Sequence, residues 1–457
     1  MQSDIKICSV EPYYFEERCR TPLKFGRVVV EKLPYCQVKV TVENRAGQRA
    51  EGWGGIFLMD FWAFPSDLVP HPERQRAMIR IVEDFSRVVA DYSAYAHPVD
   101  LFFELEPELE RVSSEVSREL ALKEQMPFLG ALVCASPIDA AIHDAFGRVN
   151  RICAYDGYGP EFMEYDLSRY LGPSFEGKHI ADVLRKTYTP RLPIFHLVGG
   201  LDKLRRPEVN EHDPQDGLPN SLDEWVARDG LICLKVKLRG NDVAWDVDRI
   251  VEVVRIAHEV QERKGRSELY FSADTNEQCE HPDYVVELLM RLKERDPRAF
   301  DELLYVEQPV ERDLTAHRFD MRKLSKIKPQ ILDESLTGLE AFDSAMELGW
   351  SGIALKTCKG QSMTLVLAAK ATALGIPYTI QDLTNPSLAL IHSVGLAARL
   401  HPMKGVEANS RQFFPKASEP EAKVHPNLFH VRDGMVSTES LKGYGLGYQI
   451  EKIERAF

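Results

Sequence analysis

Five apolar segments in the second half of the chain end in a charged side chain. The residues are Lys237, Asp274, Glu307, Asp333 and Lys356. The spacings between them run from 23 to 37 residues, about the length of one strand–helix repeat. Because the carboxyl ends of parallel strands meet on one face of a barrel, this spacing predicts that consecutive strands deliver these charges to one rim.

The segment Leu231–Gly240 carries two lysines at alternate positions, Lys235 and Lys237. On a strand, alternate residues share a face, so the two ammonium groups project the same way. Their repulsion, about 2–3 kcal/mol at an effective dielectric constant near 20, favours loss of one proton. Such a pair predicts either a proton-transfer site or an edge strand with one wet, lysine-lined face.

Three of the strand-end residues, Asp274, Glu307 and Asp333, are carboxylates. Taken singly, each could be a helix N-cap or a loop charge. As a converging set they repel one another unless a cation lies among them. Ligation by oxygen alone favours a hard ion, most simply Mg²⁺. A lysine beside a divalent cation and a second lysine can lose its proton near neutral pH and act as a base.

The elements that position these residues alternate between strand and helix from Pro193 onward. Eight strands are predicted at 194–198, 233–238, 269–273, 303–306, 330–332, 352–356, 377–380 and 405–408. This alternation predicts an α/β fold, a (β/α)₈ TIM barrel, with a doubly wound open sheet as the alternative.

The rest of the chain is predicted to form an α+β capping domain that the C-terminal segment completes. Strands are expected at 28–30 and 36–42, and helices at about 73–92 and 100–123. A further helix over 138–149 is expected to begin at Pro137, and strand-like pieces occur at 428–431 and 448–450. The predicted domains are residues 1–185, 186–412 and 413–457.

Composition narrows the class of partner. A net charge of −13 argues against nucleic acid and anionic membranes, which need a clustered basic face. The eight cysteines show no CxxC pair and are expected to be reduced thiols. The N-terminus shows no secretory signal, and the most apolar later run, 363–373, is too short to cross a bilayer. We therefore expect a cytoplasmic protein. A homo-oligomer is a separate expectation, which the composition does not determine.

The ordered series LKVKL, SADTN, YVEQP, LDES and ALKTCKG resembles the barrel of the enolase superfamily, in its mandelate racemase/muconate lactonizing enzyme family. The segments 20–25 and 138–144 resemble that family's capping domain. The resemblance implies Mg²⁺ ligands at Asp274, Glu307 and Asp333, and an acid/base pair of Lys237 and Lys356. It implies that Lys235 neutralises the substrate carboxylate and tunes Lys237. Weaker candidates for substrate contact or support are Asn276, Gln308, Glu334 and Glu407.

The predicted function is removal of the proton α to the carboxylate of a small molecule, through a metal-stabilised enediolate. A lysine pair suits a racemase, an epimerase or a cycloisomerase. The segment IPYTIQDL has no histidine, which favours the lysine–lysine branch. The alternatives are an acid-sugar dehydratase of the same superfamily and a non-catalytic barrel that binds carboxylates or serves as a scaffold.

The long polar loop Leu201–Asn220 follows the first predicted barrel strand, on the face that carries the chemistry. Loops of this length inside a compact domain are usually functional or disordered. We expect this loop to form part of a lid or of the substrate pocket. His196, just before it, is expected to be a buried structural histidine.

Overall fold

The computed structural model describes residues 1–25 and 28–455. The N-terminal part contains a three-stranded antiparallel sheet in the order β1–β2–β3 and five helices. Its elements are β1 (Ile5–Phe25), β2 (Val28–Asn44), β3 (Arg49–Phe57), α1 (Asp60–Ala63), α2 (His71–Asp91), α3 (Pro98–Glu119), α4 (Phe128–Val149) and α5 (Ser168–Leu171).

Helix α4 packs directly on strand β3 because the facing residues are small. A Cβ added at Gly52 would lie 2.1 Å from the backbone nitrogen of Ala145, and one added at Gly54 would lie 2.1 Å from the carbonyl oxygen of Pro137. Any larger residue at either position would push the helix away. Helix α4 therefore lies in direct contact with the backbone of β3.

The prediction that α4 begins at Pro137 is wrong, because the helix starts at Phe128 and Pro137 lies inside it. Proline lacks the N–H that would bond the carbonyl of Val133 four residues earlier. The hydroxyl of Ser136 donates to that carbonyl instead, at 2.9 Å. By length and composition α4 could cross a membrane, but 94% of its most apolar stretch is buried inside the protein.

The rest of the chain is built around a closed barrel of eight parallel strands, β4 to β11, in which β11 pairs with β4. The predicted fold class is thus confirmed. The strands are β4 (Arg191–Val198), β5 (Cys233–Lys237), β6 (Tyr270–Asp274), β7 (Leu303–Glu307), β8 (Gln330–Leu332), β9 (Gly352–Lys356), β10 (Tyr378–Gln381) and β11 (Val406–Glu407). Phe195, Cys233, Tyr305, Ile331 and Ala354 pack together as a buried cluster contributed by the barrel strands.

Helices connect and surround the barrel strands. They are α6 (Leu222–Asp229), α7 (Val243–Glu262), α8 (Asp283–Arg295), α9 (Pro297–Glu302), α10 (Arg322–Ser325), α11 (Leu339–Glu347), α12 (Gln361–Leu374), α13 (Ser387–Arg399), α14 (Ser410–Phe413), α15 (Glu419–Val424) and α16 (Pro426–Phe429). The last strand, β12 (Met435–Ser437), pairs antiparallel with β4.

Both strand-like pieces expected in the C-terminal segment are absent. Residues 426–429 form α16, since Pro426 suits the first turn of a helix, and 450–452 form a 3₁₀ turn. Apolar runs this short do not distinguish helix from strand. The segment also contacts the N-terminal part, where the backbone nitrogen of Leu446 donates to Asp144 at 2.8 Å.

Candidate active site

The barrel strands place the predicted charged residues on one rim. Lys237, Asp274 and Glu307 lie side by side in register at the ends of β5, β6 and β7. Asp333 directly follows β8, and Lys356 ends β9. Because β5 and β9 are the second and sixth of eight strands, Lys237 and Lys356 face each other across the barrel, with the three carboxylates on the strands between.

Lys235 lies deepest and contacts three carboxylates. Its Nζ is 2.7 Å from Glu307, 2.7 Å from Glu407 and 3.1 Å from Asp274. Burial acts to lower the pKa of Lys235, but these carboxylates outweigh it and hold that pKa well above its usual value. The repulsion between Lys235 and Lys237 is expected to favour loss of one proton. At Lys235 the opposite holds, because three carboxylates surround this lysine.

Lys237 donates to Asp274 at 2.5 Å and to the side-chain oxygen of Asn276 at 2.9 Å. Asn276 has a φ of +45°, and its backbone nitrogen donates to the other oxygen of Asp274 at 2.8 Å. This left-handed turn folds Asn276 back over the strand end, so that Asp274 and Asn276 fix the lysine between them.

Lys356 and a third lysine, Lys359, both contact Asp333. The Nζ of Lys356 lies 2.6 Å from its carboxylate, and the Nζ of Lys359 donates to its backbone oxygen at 2.5 Å. Burial acts to raise the pKa of Asp333, but the two lysines and Lys235 lower it to about 2. Burial likewise acts to lower the pKa of Lys356, and Asp333 raises it above its usual value.

The N-terminal part covers this side of the barrel with Trp62 of α1. The Nζ of Lys356 lies 4.8 Å from the centre of the Trp62 ring, and the indole N–H donates to Glu334 at 2.9 Å. The other oxygen of Glu334 is buried without a hydrogen-bond partner among the described residues. Burial and the neighbouring charges of Asp333 and Glu277 raise the pKa of Glu334 to about 7.

Gln308 holds the segment that carries Asp333. Its side-chain oxygen accepts from the backbone nitrogens of Asp333 and Ser335 at 2.9 and 3.3 Å, and its amide donates to the Ser335 hydroxyl at 2.9 Å. Its own φ of +28° is strained for a residue with a side chain. The structure thus brings every predicted site residue to this rim, with Gln308 as a support.

Four residues that sequence reasoning missed also belong to the site. They are Trp62, Lys359, Gln381 and Asp382. Gln381 donates to Glu307 at 2.8 Å, and Asp382 accepts from the backbone nitrogens of Thr384 and Asn409 at 3.0 and 3.3 Å. The seventh strand ends in IQDL, whose Gln and Asp follow an apolar run as the other site residues do, so the same pattern predicts them. No local pattern marks Trp62, which comes from a distant segment.

The carboxylates suit a hard cation by their donor chemistry. Asp274, Glu307 and Asp333 supply six oxygens from adjacent strands, and Glu334 leaves one buried oxygen unpartnered. Lysine and amide nitrogens contact all six oxygens. In this arrangement no group of three or more His, Cys, Asp or Glu side chains within 1–25 and 28–455 could hold a metal ion. Carboxylate oxygens are the type of ligand that Mg²⁺ prefers, so these residues are of the right type to hold it. In this structure the ammonium groups of the lysines balance the charge of the carboxylates.

Residues 218–453 match the family model described as enolase C-terminal domain-like. The chain belongs to the enolase superfamily. Within that superfamily of enzymes it groups with the mandelate racemase/muconate lactonizing enzyme family. No curated protein matches the chain.

Solved structures of superfamily enzymes share the whole fold. The L-Ala-D/L-Glu epimerase from Bacillus subtilis aligns with a TM-score of 0.62 at 15% identity, over 97% of this chain and 98% of the epimerase. The 2-chloromuconate cycloisomerase from Rhodococcus opacus gives 0.59 at 17%, over 99% and 100% of the two chains. An enolase from Bradyrhizobium complexed with magnesium and mandelic acid gives 0.60 at 17%, over 98% and 96%. At these identities the likeness shows the fold.

Proposed function

We propose that this protein is a Mg²⁺-dependent enzyme that removes the proton α to a substrate carboxylate, as a racemase, an epimerase or a cycloisomerase. The observation that carries the proposal is the position of Lys237 and Lys356 across the barrel, with three carboxylates on the strands between them. Two amines on opposite faces of one carbon can remove a proton from one side and return it on the other.

Each site residue then has a distinct task. Lys237 and Lys356 carry the transferred proton at Nζ, and Asn276 keeps Lys237 aimed at the substrate. Lys235 offers positive charge to the substrate carboxylate, and Glu407, 2.7 Å away, holds it in place. Bound at Asp274, Glu307 and Asp333, Mg²⁺ would supply Lewis-acid stabilisation of the negative charge that develops on the carboxylate.

The surrounding residues keep the site dry. The cavity among Trp62, Leu197, Lys237, Lys356 and Glu407 has a volume of about 20 Å³, which is close to the space of one water molecule. In such an enclosure hydrogen bonds and charges act at a low effective dielectric constant. Negative charge that develops on the substrate is therefore screened less by water than it would be in solution.

The test is deuterium uptake at the α carbon in D₂O. Wild-type protein with Mg²⁺ is incubated with N-acyl amino acids, dipeptides and muconates, and products are analysed by mass spectrometry. We expect uptake that EDTA abolishes and that falls at least 100-fold in Lys237→Ala and in Lys356→Ala. Lys186→Ala, an exposed lysine, is the matched control. Uptake that persists in the double variant Lys237→Ala/Lys356→Ala contradicts the proposal.

A carboxylate-binding protein without turnover is the second candidate. It is favoured by the nitrogen donors that contact all six carboxylate oxygens in so small a cavity. Under this alternative, isothermal calorimetry detects binding of a carboxylate while no compound gains deuterium. We also propose that the chain is divided into domains and that it forms a homo-oligomer. The proposed domains are residues 1–185, 186–412 and 413–457.

A further inference from the structure

An arginine in the loop after β7, Arg312, lies between the groups that hold Lys237 and Lys356. It is bound on one side to Glu277, in the loop after β6, and on the other side to Trp62 of α1. The side chains of Arg312 and Glu277 are 17% and 14% exposed. The two contacts connect a loop of the barrel rim with the N-terminal part that covers it.

The carboxylate of Glu277 is held by three donors of Arg312. One oxygen accepts from the backbone nitrogen of Arg312 at 3.1 Å and from its Nε at 2.7 Å, and the other oxygen accepts from Nη2. A guanidinium group that pairs with a carboxylate through two nitrogens fixes the orientation of both groups. The orientation of Glu277 therefore depends on Arg312.

The loop that carries Glu277 needs such support because its backbone is strained. Asn276 and Glu277 have φ values of +45° and +65°, in a region that residues with a side chain rarely adopt. Strained turns persist only where surrounding contacts hold them. Here the backbone nitrogen of Glu277 donates to the carbonyl of Gln308 at 2.9 Å, and its side chain adds the contact with Arg312. Since Asn276 accepts from Lys237 at 2.9 Å, these contacts also fix the direction of that lysine.

The remaining nitrogen of the guanidinium group contacts α1. Nη1 of Arg312 donates to the backbone carbonyl of Trp62 at 2.9 Å. This carbonyl lies in the last turn of a helix, where carbonyl groups have no partner within the helix. The ring of Trp62, which is 1% exposed, lies 4.8 Å from Nζ of Lys356 and 5.7 Å from Nζ of Lys359. Arg312 therefore fixes the backbone of the residue that covers Lys356.

Arginine suits these contacts better than lysine would. A guanidinium group carries five N–H donors in one plane, spread over three nitrogens. Nε and Nη2 bind the carboxylate while Nη1 binds the carbonyl, so all three nitrogens are used. An ammonium group on a flexible side chain could neutralise Glu277, but it would not fix both partners in one orientation.

We propose that Arg312 is a positioning residue for both proton-transferring lysines, through Asn276 on the side of Lys237 and through Trp62 on the side of Lys356. The inference rests on the proposed function for its turnover assay. Arg312 takes no part in proton transfer itself. It keeps the two amines in the one arrangement in which one of them removes the proton and the other returns it.

The first test measures deuterium uptake by the L and by the D form of whichever N-acyl amino acid or dipeptide the Mg²⁺-loaded wild type exchanges fastest. Under the proposed function each form loses its proton to a different lysine. We therefore expect kcat in Arg312→Met to fall roughly 10- to 100-fold from either form, with KM changed less than about 3-fold. Arg312→Lys should recover only part of kcat. Arg318→Met, at an exposed arginine of the same loop, is the control.

Two results of this assay overturn the inference. A fall in kcat for one form alone would mean that Arg312 holds only one of the lysines, and an unchanged kcat would mean that it holds neither. Far-UV circular dichroism at the assay temperature shows whether each variant is folded. If Arg312→Met is unfolded, Arg312→Lys and Glu277→Gln replace it, and kcat is expected to fall from both forms in each of them.

The second test needs no substrate. The indole N–H signal of Trp62, assigned by its loss in Trp62→Phe, is followed by NMR in ¹⁵N-tryptophan-labelled protein. Glu277→Gln should shift this signal, because Arg312 transmits the change to Trp62. Glu277→Gln should have little further effect when it is added to Arg312→Lys, since residues that act as a unit are not additive. Glu280→Gln, at an exposed glutamate of the same loop, is the control and should leave the signal unmoved.

The two tests separate the inference from the proposed function. A signal that Glu277→Gln leaves unmoved overturns the inference, whatever the uptake. A shifted signal together with no deuterium uptake in the wild type refutes the proposed function alone, and the connection that Arg312 makes between the two sides of the rim stands.

Discussion

At the scale of single residues, the site concentrates buried charges that are stable only together. Lys235 is 3% exposed and lies within 3.1 Å of three carboxylates. Removing one member of a buried ion pair is costly because its partner keeps an uncompensated charge. The same carboxylates can bind another cation if it replaces an ammonium group.

This reasoning predicts a metal-dependent stability in Lys235→Met. Without Mg²⁺ we expect the free energy of unfolding to fall by about 3–5 kcal/mol, because Glu307 and Glu407 lose their shared cation. Mg²⁺ should restore part of the loss. Urea denaturation in EDTA and in Mg²⁺ measures both values, and Lys186→Met, at an exposed lysine, is the control. Equal stability of Lys235→Met and wild type in EDTA would contradict the ion-pair account.

The strand-end residues could be predicted because each one follows an apolar run of its own. Lys237, Asp274, Glu307 and Lys356 are the last residues of their strands, so one local rule finds them. The environment of Lys235 could not be predicted in this way. Its contacts come from three other strands, and the sign of their combined effect depends on distances that a sequence does not contain.

At the scale of elements, helix α3 carries a carboxyl group in an apolar groove. Glu106 lines this groove together with Phe85 and Leu101. Burial, with repulsion from Glu110 and Glu340, raises its pKa to about 7 from 4.5. Helix α3 therefore holds a proton that the unfolded chain would release at lower pH.

The raised pKa of Glu106 predicts a pH-dependent stability. The contribution of Glu106 to the stability of the folded protein is fully present below about pH 4.5 and is lost as the pH rises through about 7. The reason is that the carboxyl group ionises less readily in the groove than in the unfolded chain. Relative to Glu106→Gln, wild type should lose about 1–3 kcal/mol over this range. Urea denaturation at several pH values measures the difference, with Glu294→Gln, at an exposed residue of α8, as the control. A constant difference between Glu106→Gln and wild type would show that Glu106 titrates normally.

The barrel strands were better predicted than the helices and tail that surround them. Short buried runs such as 303–306 and 330–332 are bounded by polar residues, and they recur at the spacing of one repeat. Helix α4 begins earlier than the sequence predicts, because proline is typical of a helix start, whereas here Ser136 replaces the donor that Pro137 lacks inside the helix. The tail pieces near 428 and 448 have no repeat to define their type.

At the scale of the whole molecule, polar groups of the N-terminal part find their partners on the barrel. The backbone nitrogen of Phe57 donates to Asn385 at 2.9 Å, and the indole of Trp62 reaches Glu334. Asp139 of α4 accepts from both the backbone nitrogen and the hydroxyl of Ser362, at the start of α12. Separation of the two parts would leave these buried groups unsatisfied, which couples their stabilities.

Ser362→Ala tests this coupling because Ser362 joins the two parts at one atom. Its hydroxyl lies 2.8 Å from Asp139 and 2.7 Å from Nε2 of His143, so its loss leaves two buried polar groups of α4 short of a partner. We expect the free energy of unfolding to fall by about 1–3 kcal/mol, while Ser267→Ala, at an exposed serine, has little effect. Because the remaining contacts still join the two parts, we expect both to unfold at one midpoint. Far-UV circular dichroism and tryptophan fluorescence measure it. The fluorescence is made to report on Trp53 and Trp62 alone by replacing Trp225, Trp245 and Trp350 with phenylalanine. An earlier fluorescence midpoint would mean that the N-terminal part unfolds by itself, and that Trp62 leaves Lys356 while the barrel is still folded.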